Sequence, residues 1–207
     1  YHDPSKNAIK RAKKTLVALG ALTTTGEVTG VGRQMEQFPV ESNYARMLVE
    51  ALEFPKETQA KLAAIIAIQE VGGIVKGGTR FTGWRSYTRQ HKSDLLAEYD
   101  VYLATPSIPE EMFEELGIVS KNIEKAKEVI ERLHHDLGLS DVKLTAVTPE
   151  EESPLIRAIT AGQIDQLWFK VDDNGILEHV QSGQQRELSS SSVVRNPTLV
   201  TGTPFDL

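Results

Sequence analysis

The sequence predicts a mainly α-helical chain with a β tail. Apolar residues recur at helical spacing through most of the first 160 positions. The clearest case is "SKNIEKAKEVIERLHHDLGL", where Ile123, Ala126, Ile130, Leu133 and Leu137 form one stripe. After residue 164 the pattern changes to short runs, "DQLWFKV", "GILEHVQ", "QRELS" and "TLVTGT", divided by the turns "DDNG" and "QSGQ". A chain of 207 residues, 40% hydrophobic and 25% charged, has the composition of an ordinary globular protein.

The elements follow in order. "DPSKNAIKRAKKTLVALGAL" opens a helix with Asp3 or Ser5 as N-cap and Pro4 in the first turn; Ile9, Ala12, Leu16 and Leu19 share a face, and Gly20 ends it. A hairpin follows at "TTTGEVT". "GRQMEQF" is then a short helix stopped by Pro39, and "ESNYARMLVEALEF" is another, with Tyr44, Met47, Leu48 and Leu52 directed inward. Helix, hairpin, helix, helix is the order of a winged-helix-like module, assigned to residues 1–55. "KETQAKLAAIIAIQEVGGIV" is a strongly apolar helix ending at Gly72-Gly73. "KGGTRFTGWRSYTRQHK" has no periodicity and is a loop. "SDLLAEYDVYLA" is a helix capped by Ser93 or Asp94, and "SIPEEMFEELGI" contains a short one. The helical region is assigned to 56–148. "TPEEESP" is an acidic joint before a last helix, "LIRAITAGQ", and the β tail of 149–207 is long enough for a small open barrel cut before it closes. The chain begins at "YHDPSKN" without an initiator Met and stops at "TGTPFDL", which leads to the expectation that it is a piece of a longer protein.

"LTTTGEVTGVGRQ" holds Gly26, Gly30 and Gly32 in seven positions and raises the question of a phosphate cradle. The phosphate-loop pattern needs G-x-x-x-x-G-K-[ST], and the dinucleotide pattern needs G-x-G-x-x-G after a buried strand. Gly32 is followed by Arg33-Gln34, and no apolar strand precedes the glycines. A turn with Gly26 at positive φ and a helix entry at Gly30 to Gly32 fits better.

Composition excludes several classes. The chain has no cysteine, hence no disulfide and no Cys-based zinc site, which fits a reducing compartment and the expectation of a cytoplasmic protein. No apolar run is long enough to span a membrane. The net charge is −6, distributed as +1 over 1–55, +2 over 56–106, −4 over 107–148 and −5 over 149–207. His2, His91, His134, His135 and His179 never take the spacing of a zinc-binding helix, and His134-His135-Asp136 closes a helix whose dipole favours His there. Glu110, Glu111, Glu114 and Glu115, like Glu150 to Glu152, stand at helix starts or joints where acids are usual. No nucleophile motif occurs, and Ser189 to Ser192 is a polar turn. The sequence therefore offers no catalytic residue, no metal site and no cofactor-binding residue.

One stretch carries a positive signal. From Lys76 to Lys92 the cations Lys76, Arg80, Arg85, Arg89 and Lys92 interleave with Phe81, Trp84 and Tyr87, and no acid intervenes. Cations neutralise phosphates and aromatic rings stack on bases, so this mixture suits single-stranded nucleic acid. The alternative is that Phe81 and Trp84 anchor the loop while the cations face water.

"RAKKTLVALGALTTTGEVTGVGRQMEQFPVESNYARMLVEA" resembles the helicase-associated region of DEAH-box ATP-dependent helicases, through Leu19-Gly20-Ala21-Leu22, Gly26, Thr29, Gly32-Arg33, Met35, Phe38-Pro39 and Ala45-Arg46-Met47-Leu48. The resemblance implies a winged helix, a helical ratchet bundle and a partial OB-like β domain. "SDLLAEYDVYLA" is similar to the ratchet helix, "LIRAITAGQIDQLWF" to the helix that enters the first OB-like strand, and "LSSSSVV" to a strand entry, without the His-Pro that often precedes it. The basic loop matches no motif of the family. The implied function is that of a non-catalytic region that guides single-stranded RNA or DNA and packs on the ATPase domains of the same polypeptide. ATP and Mg would belong to those domains, with an activator protein as a further partner and no membrane. The alternative is a docking platform for the ATPase domains or an activating protein, without nucleic-acid contact.

Overall fold

The computed structural model describes residues 4–78 and 80–204. The chain is mostly helical and ends in a small four-stranded antiparallel sheet. Two compact units are present. The first comprises Tyr1–Glu53, Ile156–Arg186 and Thr198–Leu207, and the second Phe54–Leu155 and Glu187–Pro197.

In the first unit, α1 (Lys6–Ala18) is capped by Ser5, whose side chain accepts from the Ala8 N–H at 3.2 Å; Asp3, the other candidate cap, lies outside the described residues. Only the C-terminal end of this helix packs inward. Ile9 and Ala12 are exposed, contrary to the stripe expected from their spacing, because the facing residues of the unit reach only Leu16 and Leu19. The hairpin that follows is a single bridge between Leu22 and Val28, with Gly26 at φ +93° in its turn. α2 (Gly30–Met35) is capped by Thr29, which accepts from the Gly32 N–H at 3.0 Å and donates to the Gly20 carbonyl at 2.6 Å. A Cβ at Gly32 would overlap the Ala21 carbonyl, so this glycine serves close packing. α3 (Ser42–Glu50) buries Ala45, Met47 and Leu48, whereas Leu52, past its end, is 43% exposed. Leu19, Ala21, Met35 and Ala45 form a small core, flanked by Leu16, Val31, Phe38, Val40 and Val49.

The second unit is built on α4 (Lys56–Glu70), which packs against α5 (Asp94–Ala104) and α7 (Ser120–Asp136); α6 (Phe113–Leu116) is the short helix before α7. Ala60 to Ile68 of α4 are all buried, as expected for a central helix apolar on every side. α7 buries Ala126, Ile130 and Leu133, three members of the predicted stripe. His134 is buried as well and donates from Nε2 to the Ala60 carbonyl at 3.0 Å, a structural bond within the helix pair. Among the described residues no group of His, Asp and Glu is placed to hold a metal ion, and no helix is long and apolar enough to cross a membrane.

α8 (Pro149–Gly162) corrects the acidic joint, for Pro149 to Pro154 are its first turns. The three glutamates sit where the helix dipole favours acids, and Pro154, inside the helix, leaves out the backbone bond to the Glu150 carbonyl. Its last turn lies on α3, where a Cβ at Gly162 would overlap Asn43 O and Met47. The strands are β1 (Leu167–Lys170), β2 (Ile176–His179), β3 (Gln185–Glu187) and β4 (Leu199–Thr201), in the order β3-β2-β1-β4. Trp168 pairs with His179 and Val200. Its indole N–H donates to the Gly202 carbonyl at 2.9 Å, closing the buried face of the sheet. Residues 188–198 form no strand, so "LSSSSVV" is irregular chain.

Candidate functional site

The basic loop starts where α4 ends. Gly73, at φ +81°, turns the chain against the carboxylate of Glu98, and a Cβ there would stand 2.7 Å from Oε1. Glu98 accepts from the N–H groups of Ile74 and Val75 and from the Gln69 amide at 2.7 Å. Burial raises its carboxyl above the usual range, and these donors draw it partly back. The Lys76 N–H donates to Gly117 O at 2.7 Å, and Val75 bridges Ile118, so the loop enters as a pinned extended segment.

Phe81 sits on Gly117, where a Cβ would meet the Phe81 Cβ at 2.6 Å. The Lys76 ammonium lies 4.6 Å from the Phe81 ring centroid and the Arg80 guanidinium 5.4 Å, both within cation–π range. Trp84 is 3% exposed, and its indole N–H donates to Phe81 O at 3.1 Å. The anchor role therefore falls to Trp84; a buried indole offers no face to a base. A 3-10 turn over Gly83–Tyr87 carries it.

Arg85 is also committed internally. Its guanidinium donates to Ser190 O at 2.7 Å and to Ser192 O at 3.2 Å. Ser192 in turn donates from Oγ to Asp94 at 2.7 Å, and Asp94 also accepts from the Val193 N–H at 2.6 Å. The serine run is thus fastened to the loop and to the start of α5, and Arg89, which shares helical spacing with Arg85, is separated from it by the end of the 3-10 turn. Arg80, Arg89 and Lys92 are exposed, and Phe81 and Tyr87 are half-buried. Lys92 pairs with Glu152 at 3.0 Å but keeps 68% of its side chain exposed, so the pair is weak. At the loop's exit the Thr88 hydroxyl donates to Asp100 at 2.9 Å. Burial raises the Asp100 carboxyl despite this bond.

Of the eight predicted residues, the structure brings Lys76, Arg80 and Phe81 together as one cation–aromatic group and leaves Arg89 and Lys92 on the surface. Trp84 and Arg85 hold the loop in shape. No local pattern signals these partners, since Glu98, Gly117 and the serine carbonyls each lie far along the chain from the residues they fix, and Asp94 holds Ser192 and Val193, about a hundred positions on.

Comparison with known proteins bears on the first unit. Residues 14–40 match the model of the helicase associated domain (HA2), winged-helix. Over 56 residues the chain is 36% identical to the ATP-dependent RNA helicase DEAH13 of Arabidopsis thaliana; the match takes in 27% of this chain and 4% of that protein. The matched segment coincides with the end of α1, the hairpin and α2, where Thr29 and Gly32 fix the turn into the helix. Over residues 14–40 the chain is thus similar to the winged-helix segment of the helicase associated domain found with DEAH-box helicases, and it spans only a small part of the DEAH13 relative's length.

Proposed function

We propose that this chain guides single-stranded nucleic acid for a DEAH-box-like ATP-dependent helicase, without itself performing the ATPase chemistry. In this reading residues 1–55 are the winged helix, 56–148 the ratchet bundle and 149–207 an OB-like domain, and ATPase domains of the same polypeptide pull the strand in the cytoplasm. The name of the DEAH13 relative favours RNA over DNA. The observation that carries the proposal is the pinned, acid-free loop, which gathers Lys76 and Arg80 over the Phe81 ring and leaves Arg80, Arg89 and Lys92 exposed. Exposed cations and a partly exposed aromatic ring on one loop are the parts that single-strand binding uses.

The test is binding of labelled single-stranded RNA by the intact chain over a range of salt. Arg80→Glu with Arg89→Glu is expected to abolish binding and to leave the thermal midpoint nearly unchanged, because both side chains are exposed. Equal binding by parent and variant would reject the loop as the site.

A second reading, docking of a protein partner, has its own observation. Leu16, Leu22, Val28, Met35, Phe38 and Val40 line an apolar groove of the first unit, and Val28 is 50% exposed. Val28→Asp would then abolish partner binding and leave RNA binding intact.

A further inference from the structure

The first helix carries a second basic surface that the loop reading does not use. Lys6, Lys10, Arg11, Lys13 and Lys14 are all exposed, and no acid lies between Asp3 and Glu27. Lys6, Lys10, Lys13 and Lys14 stand at i, i+4, i+7 and i+8, which puts them on one side of α1. Among the described residues none of the five has a carboxylate partner. Lys6 and Lys10, Lys10 and Lys14, Lys10 and Lys13, and Arg11 and Lys14 are like-charge neighbours that weaken the helix, and its first turn holds no acid to offset them. The charge of +1 over residues 1–55 hides this row, because the acids of that segment lie elsewhere. The Asp165 carboxylate does reach α1, accepting from Thr15 at 3.4 Å, but it forms no ion pair with the row, and this local excess of positive charge is complementary to a polyanion.

We propose that this face of α1 binds the phosphate backbone of a nucleic-acid duplex. No aromatic residue occurs in Lys6–Ala18, so the helix has no platform for stacking on unpaired bases and engages phosphates alone, which a duplex presents at the higher charge density. The choice of lysine separates nucleic acid from an acidic protein. Protein interface centres are depleted in Lys and rich in aromatic residues, Met and Arg, whereas Lys serves phosphate well as a point charge. From Lys6 to Lys14 the helix rises about 12 Å. A duplex strand carries one phosphate per about 3.4 Å of its axis, so the row faces several at once. This inference shares with the proposed function only the choice of nucleic acid as ligand; the surface is a separate one.

The experiment compares a short blunt RNA duplex with a single strand, each against the intact chain at several salt concentrations. The variants are Lys10→Glu with Lys13→Glu on α1, and Arg80→Glu with Arg89→Glu on the loop. The α1 variant is expected to lower the slope of log affinity against log salt for the duplex by about one per residue and to leave the single strand's affinity unchanged. Its thermal midpoint should not fall, because a carboxylate at position 10, between Lys6 and Lys14, turns repulsion into attraction. Should it fall, Lys10→Gln with Lys13→Gln must show the same loss of slope. Unchanged duplex binding by the α1 variant overturns the inference, as does a parent chain that binds no duplex. Displacement of the duplex by polyglutamate of equal charge would point instead to an acidic protein. If only the loop variant leaves its ligand's binding unaltered, the loop reading fails and the duplex site stands.

Discussion

Four side chains of the second unit, Lys61, Glu151, Glu98 and Trp84, have surroundings that make their substitution costly. Lys61 is 2% exposed, donates to Ala146 O at 3.0 Å and pairs with Glu151. Burial pushes the Glu151 carboxyl up, but the Lys61 ammonium, the Thr148 N–H and the Thr58 hydroxyl outweigh it and hold it below the usual range. A lowered carboxyl contributes stability above its unfolded value and loses it as pH falls through the folded one. The parent should therefore destabilise on acidification below the ordinary glutamate range, and Glu151→Gln should lose that part of the pH dependence in acid melts. Glu151→Ala is expected to cost about 3–5 kcal/mol, since it strands a buried ammonium. Glu98 has the opposite sign. Its raised carboxyl means that protonation relieves burial, so its contribution improves as pH falls through the raised value. Glu98→Ala leaves the Ile74 and Val75 N–H groups without their acceptor and should cost about 1–3 kcal/mol by denaturant titration. Trp84→Ala should cost about 3–5 kcal/mol, the cost of truncating a buried indole. If Trp84→Ala leaves stability unchanged and removes only RNA binding, the anchor role is wrong.

At the scale of elements, close backbone approach explains two glycines that periodicity cannot. Gly162→Ala should cost about 1–3 kcal/mol by pressing a methyl into Asn43 O and Met47, and Gly32→Ala should be destabilising through the Ala21 carbonyl. Thermal melts check both, and a Gly32→Ala chain with a changed nucleotide affinity would contradict the packing role. The four strands were legible because each is a short run bounded by a turn: at "DDNG", Gly175 takes φ +91° and Asp172 accepts the Ile176 N–H at 2.9 Å. The stripe of α7 was legible for the same local reason. The start of α8 was not, because Pro154 and three glutamates look like a linker when the dipole that favours them is unseen. Nor was the exposure of Ile9, since spacing tells which residues share a face and not how far the facing core extends. Arg85 is the sharpest case. Its acceptors, Ser190 O and Ser192 O, are more than a hundred positions away, and a cation in a loop gives no local sign of such a partner.

For the whole molecule, net charge misleads. The back half carries −9 in all, which repels phosphate, while the loop and α1 each gather five cations without an acid. The nucleic-acid contacts we propose are thus confined to surfaces that segment averages conceal. Residues 14–40 carry the similarity to the winged-helix segment of the helicase associated domain, and the loop is the contact surface we propose. The most direct measurement is photo-crosslinking of single-stranded RNA to the intact chain, with the linked peptides mapped by mass spectrometry. Crosslinks should concentrate between Lys76 and Lys92, at Phe81 and Tyr87, and disappear with Arg80→Glu and Arg89→Glu. Crosslinks that avoid this loop and survive the double substitution would contradict the account.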